Sequence, residues 1–169
     1  MRLLACRSIT VGVGVAFLLS LAACGSNQAS TGETGSALVG DADTPVGCAT
    51  DPRAQAYAPN LVKQGEAGVF TFVLVSSTPG PPGLDQNTWV IAVEDASGNM
   101  VPGATLTSVV PWMPDHGHGT STPTITPNSD GTITVSSIYL FMTGLWQTTI
   151  VAEAGGQMDS AMFSFCVGE

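Results

Sequence analysis

Positive charge is scarce in this sequence: 4 Lys and Arg stand against 13 Asp and Glu over 169 residues, a net charge of −9. A nucleic-acid binder carries a basic footprint, and none is present here, so no nucleic-acid partner is expected. Charged residues of either sign make up only 10% of the chain, too few for coiled coils or long amphipathic helices. Beyond the N-terminal stretch no segment sustains a 3.6-residue apolar period. The chain contains no G-x-S-x-G, no H-E-x-x-H and no C-x-x-C-H, which removes the serine-elbow, zincin and haem-attachment patterns. Two histidines are too few for a two-metal site of the copper–zinc superoxide dismutase kind. The close Cys…His…Met spacing of a blue-copper site is missing as well. The chain is therefore expected not to be an enzyme. What remains is 44% hydrophobic, which argues against disorder of the whole. Its 20 glycines and 11 prolines break it into short runs, and its length suits one domain with appendages.

The N-terminus reads as an address. Arg2 and Arg7 form a positive region ahead of the apolar run Ile9–Leu19, which is short for a bilayer span and has the flanks of a secretory signal. The run ends in Leu21-Ala22-Ala23-Cys24, which resembles the bacterial lipobox. That resemblance implies cleavage before Cys24 and a diacylglyceryl group, with palmitate, on its sulfur. The alternative is a plain signal peptide with a chance cysteine. Removal of residues 1–23 takes both arginines away and leaves Arg53 and Lys63 against all 13 acids, a net of −11. Such a surface repels anionic lipid headgroups, so membrane attachment falls to the lipid on Cys24. Gly25 follows that cysteine, so no aspartate marks inner-membrane retention. The expected location is the extracytoplasmic cell envelope (the periplasmic side), with the outer membrane favoured where a cell has two.

Residues 24–46 are rich in Gly, Ser, Thr and Asp and poor in large apolar groups, the composition of a flexible linker with a reach of about 25 Å. From residue 47 to 169 the pattern changes to short alternating runs. Strands are expected over 69–75, 88–94, 104–110, 121–126, 131–141, 145–152 and 160–167, with the third segment from the end alternating as Ile133, Val135, Ser137, Tyr139 and Phe141. About seven strands with turn signals every 8–12 residues predict an all-β, immunoglobulin-like antiparallel β-sandwich. Trp89, Trp112 and Trp146 read as core anchors.

Four cysteines divide by position. Cys6 leaves with the signal and Cys24 takes the lipid, so Cys48 and Cys166 remain at the two ends of the domain. In an exported protein these two are expected to form a disulfide. A thiolate metal site is the other reading.

Both histidines, His116 and His118, fall in Pro111-Trp112-Met113-Pro114-Asp115-His116-Gly117-His118-Gly119-Thr120. In an extended segment residues two apart share a side, so both imidazoles can reach one ion. Met113 offers a thioether and Asp115 an oxygen, while Met142 offers a second sulfur from a neighbouring strand. Imidazole with thioether suits copper and not magnesium or calcium. The competing reading is a tight structural loop whose imidazoles hydrogen-bond the backbone.

Met113-Pro114-Asp115-His116-Gly117-His118-Gly119, then Gly131-Thr132-Ile133, then Phe141-Met142-Thr143-Gly144-Leu145-Trp146 resemble the YtkA-like domain, with its M-P-x-x-G-H-G stretch and M-x-G-x-W turn. The resemblance spans roughly residues 66–165. It implies an immunoglobulin-like sandwich in an exported or membrane-anchored protein suspected of handling copper or another heavy metal. His116 stands where the family often has methionine, which shifts the site toward nitrogen ligands. The expectation is a lipid-anchored module that buffers or delivers copper through Met113, His116 and His118, to a metal-receiving partner. The alternative is a non-catalytic structural or interaction module that docks an envelope protein.

Overall fold

Short β-branched and aromatic runs have one apolar face to bury, and strands stacked in two layers bury it. The computed structural model describes residues 47–168. The signal segment, Cys24 and the linker up to residue 46 lie outside the described residues. After a 3₁₀ turn at Cys48–Thr50 come nine strands: β1 (Leu61–Gln64), β2 (Thr71–Thr78), β3 (Asp85–Glu94), β4 (Thr105–Met113), β5 (His118–Gly119), β6 (Thr124–Pro127), β7 (Ile133–Leu140), β8 (Gly144–Ala154) and β9 (Gln157–Val167). Every pairing is antiparallel, in two sheets ordered β1-β2-β3-β7-β6 and β5-β4-β8-β9. With β1 set aside as an extra edge, these orders are the A-B-E-D and C′-C-F-G of the immunoglobulin sandwich. The seven expected strands are β2–β4 and β6–β9. The two additions are the half-polar edge strand β1 and the two-residue β5, which forms inside the histidine motif.

The core lies between the sheets. Phe72, Leu74, Trp89 and Ile91 meet Ile150, Phe163 and Phe165 there. Trp89 presents edge-on contacts to Phe163 and Phe165, with centroids 6.2 and 5.7 Å apart, the arrangement that ring quadrupoles favour. Trp146 is buried too. Trp112 is 42% exposed, a correction to its reading as a core anchor: Pro111 and Met113 take the inward positions of β4, and alternation turns Trp112 out.

A bulge corrects the reading of β7. Ser137 adopts φ 59°, and the β3–β7 register shifts between Asn87 and Trp89. One extra residue flips every later side chain to the other face. Ile133 and Val135 point inward as expected, but Ile138 and Leu140 then take over, and Tyr139 and Phe141 emerge on the surface.

Two devices fasten the sandwich edges. Asp159 of β9, 4% exposed, accepts hydrogen bonds from the backbone N–H groups of Ala67, Val69, Phe70 and Ser160 at 2.8–2.9 Å. Burial disfavours its charge, yet these four donors outweigh that and hold its carboxyl below the ordinary range. Cys48 and Cys166 form a disulfide across a separation of 118 residues. The sulfurs are thus committed to each other, which decides against the thiolate reading. The segment after Cys48 is tied again where the Gln55 N–H donates to the Ser164 carbonyl at 2.7 Å and the Gln55 side-chain oxygen accepts from the Ser164 N–H at 2.9 Å.

Candidate metal site

Strand β4 ends at Met113 and β5 begins at His118, with Met113 opposite His118 and Trp112 opposite Gly119. The four residues between them turn the chain back: the Met113 carbonyl accepts from the N–H of His116 at 3.2 Å and of Gly117 at 2.9 Å. Gly117 sits at φ 68°, in the left-handed region that closes such a hairpin with least strain when the residue is glycine. Gly119 is required for a different reason, because a Cβ there would lie 2.8 Å from the Pro111 carbonyl oxygen. The histidine motif is therefore a hairpin tip and not an extended segment. His116 belongs to the turn and His118 to the strand, so the turn, and not two-residue alternation, brings the imidazoles together.

Their ring centroids lie 5.8 Å apart with planes 56° from parallel. A nitrogen ligand about 2.0 Å from a metal puts its ring centroid roughly 3.2 Å away. The observed separation is less than twice that distance, so the two rings are near enough to share one ion, although of the two only His116 lines the cavity beside the hairpin. His118 is half-buried; it stacks on Phe141 at 5.4 Å and 20° and meets the edge of Trp146 at 6.1 Å. Its Nδ1 lies 3.3 Å from the Gly119 carbonyl oxygen. With the proton on Nδ1, that carbonyl fixes the tautomer whose Nε2 lone pair is available to a ligand.

His116 is exposed and shares a cavity of about 320 Å³ with Met113, Asp115, Asp51 and Cys48. Met113 is 1% exposed and belongs to the hydrophobic core, so its sulfur can meet an ion only from the cavity floor. Asp115 is already engaged: Nη1 and Nη2 of Arg53 donate to its two oxygens, both at 2.9 Å. Met142 packs against the core, and its carbonyl accepts the Trp146 indole N–H at 2.9 Å. The structure thus gathers Met113, His116 and His118 about the hairpin, sets Asp115 beside them in an ion pair, and packs Met142 against the core with its carbonyl bonded to the Trp146 indole. Among the described residues, no three His, Cys, Asp or Glu side chains form a ready metal cluster, so any ion held here relies on two imidazoles and a thioether. That donor set fits a soft or borderline ion such as copper and leaves hard cations without ligands.

Sequence reasoning missed Arg53 and Asp51, which reach the hairpin from more than 60 positions away and left no local signal. It also missed the place of Phe141 against His118. The Phe141–Trp146 motif was a signal for that contact, but the Ser137 bulge that turns Phe141 outward was not visible.

Among the described residues, no helix is long and apolar enough to cross a membrane. No curated protein matches the chain. Among solved structures, the chain is similar to a copper-bound variant of FetP from uropathogenic Escherichia coli, at 14% identity over 68% of this chain and 94% of that one, with a TM-score of 0.38. It is similar to the same protein as isolated after expression in the periplasm, again at 14% identity and a TM-score of 0.38, over 68% of this chain and 93% of that one. Residues 64–151 match the model of the YtkA-like family. That match covers more than half of the sequence and runs from the end of β1 through the histidine hairpin into β8, so the chain belongs to the YtkA-like family.

Proposed function

We propose that this protein is a lipid-anchored, extracytoplasmic β-sandwich that binds copper for buffering or delivery. His116 and His118 are the principal ligands and Met113 the thioether beneath them. The observation that carries this reading is the pairing of the chain's two imidazoles, 5.8 Å apart at one hairpin tip, next to a buried methionine whose sulfur is a soft donor. Copper is cargo in this reading. The proposed role is binding and not catalysis. Attachment rests on the lipid expected at Cys24, and the natural recipient is a metal-receiving envelope protein.

One observation favours the second reading, in which the hairpin is structural. The stacking of His118 on Phe141 and its edge contact with Trp146 are contacts that a merely packed histidine also makes. Titration of the full chain in non-ionic detergent with Cu(I) and Cu(II) against competing chelators separates the two. Because Trp146 lies 6.1 Å from His118, Cu(II) binding is expected to quench its fluorescence at one equivalent. Loss of binding in His116→Ala/His118→Ala with an unchanged apo melting temperature supports the copper reading. Copper uptake indifferent to both histidines, or a large loss of apo stability in that variant, supports the structural one.

A further inference from the structure

We propose that the hairpin end of the sandwich docks on the surface of a zwitterionic lipid bilayer, with Trp112, Tyr139 and Phe141 as its interfacial side chains. This rests on the lipid-anchored reading and not on metal uptake. The described chain begins at that end, where Gly47 and Cys48 line the cavity shared with Met113 and His116. An anchor on Cys24 therefore pulls on the hairpin end. Residues 24–46 have a reach of about 25 Å by composition. That is less than the roughly 35 Å spanned by the 11 residues of β8, so the anchor keeps this end the nearer one to the bilayer.

The exposed rings are gathered at the same end. Among the described residues, the Trp, Tyr and Phe side chains that stand exposed are Trp112 at 42%, Tyr139 at 37% and Phe141 at 41%. Trp112 and Tyr139 are the last residues but one of β4 and β7, and Phe141 follows β7. The rings of Tyr139 and Phe141 are 5.8 Å apart. Exposed Leu84 reaches the same place, since a Cβ on Gly168 in the cavity wall would stand 3.4 Å from its Cγ. Single apolar side chains scattered over a surface are ordinary, but a cluster of large rings marks an interaction site. Amphipathic rings are the side chains that settle where acyl chains meet headgroups. Two of these three face outward only because of the bulge at Ser137, whose φ of 59° is sparsely populated for a serine. Backbone strain kept in order to display two rings points to a use for the rings.

Charge is distributed to match. Glu66, Glu94, Asp95, Asp130 and Glu153 all lie on turns or strand ends at the opposite end of the sandwich. At the hairpin end Arg53 pairs with both Asp51 and Asp115, and Asp85 is the other acid there among the described residues. The carboxylates that headgroup phosphates would repel are thus turned mostly to the far side, while the rings are turned to the near one. Uncharged headgroups suit such a face, because nothing on it would be drawn to an anionic surface.

The test reconstitutes the full chain into phosphatidylcholine vesicles, floats them on a density gradient, and quenches with phosphatidylcholine brominated near the headgroup end of its acyl chains. Trp89 and Trp146 are buried, so Trp112 is the reporter and Trp112→Phe supplies the background. The expected result is quenching of the Trp112 emission by roughly twofold or more. Tyr139→Ser/Phe141→Ser should weaken it, and moving the reporter to the far end in Trp112→Phe/Met158→Trp should remove it, with circular dichroism confirming the fold of each variant. Flotation without quenching of Trp112, or equal quenching of the far-end reporter, overturns the docking and leaves the lipid anchor standing. Failure to float overturns both. Shielding of Trp112 from acrylamide that grows with protein density at fixed lipid assigns the rings to a second copy of the chain and overturns the docking as well.

Discussion

The side chain of Met113 occupies the space where Gly144 has none: a Cβ on Gly144 would stand 2.5 Å from Met113 Cε. Gly144 also sits at φ 130°, in the region that favours glycine. The methionine of one family motif is thus seated on the glycine of the other, and the floor of the cavity depends on both. Gly144→Ala should cost about 1–3 kcal/mol through overpacking and backbone strain. It should also lower copper affinity by displacing the thioether. Thermal unfolding with chelator competition measures both, and an unchanged melting temperature would contradict the contact.

The bulge at Ser137 makes a second prediction. A β-branched residue at a positive φ is strained, so Ser137→Val should destabilise by about 1–3 kcal/mol, while Ser137→Gly should be neutral or mildly stabilising. Deleting residue 137 would return Phe141 to the inward phase and remove the ring against which His118 stacks. Equilibrium urea unfolding of the three variants checks the order, which fails if Val is tolerated as well as Gly.

Asp159 gives the domain an acid limit. Its folded-state carboxyl titrates below the unfolded value of about 3.9. Its contribution is therefore complete above that value and is lost as pH falls through the lower folded one. Asp159→Asn should lose about 2 kcal/mol at neutral pH, since one face of the amide turns donors toward backbone N–H groups. The variant should also show a shallower decline of stability as pH falls below about 4, where the lowered wild-type carboxyl takes up its proton. A variant as acid-sensitive as wild type would show that another group sets the limit.

Opening the disulfide has a calculable cost. A cross-link of residues 118 apart restrains the unfolded chain by roughly 4–5 kcal/mol in the loop-entropy account. Cys48→Ser/Cys166→Ser should lower the melting temperature by more than 10 °C, about what a loss of that size gives in a domain of this length. Peptide mapping without reductant should recover the two cysteines in one linked fragment.

The fold was legible because strand signals are local. Runs such as Val69–Val75 and Thr88–Glu94 carry their own β-branched content, and Gly and Pro clusters mark where each stops. β1 and β5 were not legible: Leu61–Gln64 is short and half polar, and His118–Gly119 is a strand only because it pairs with Trp112 and Met113. At the site, Met113, His116 and His118 stood out as rare donor types within six residues. Arg53 could not, since a guanidinium near a carboxylate in space leaves no trace in spacing. The phase of Tyr139 and Phe141 was misread for a related reason, because strict alternation cannot reveal the extra residue of a bulge.

By itself the sequence determined the architecture and the kind of chemistry. Alternating apolar runs bury their apolar faces by packing strands in layers, and two imidazoles beside a thioether define a soft donor set wherever they are placed. Tertiary structure alone decided how those donors are presented. The left-handed Gly117 folds the motif into a hairpin tip, the Ser137 bulge delivers Phe141 to His118, and the fastened Cys48–Gln55 segment lays Arg53 across Asp51 and Asp115. The hairpin closes on Met113 only four residues away, but the bulge and the placing of Arg53 depend on contacts between residues far apart in the chain, and pairing and packing between distant strands fix such contacts, not any local pattern.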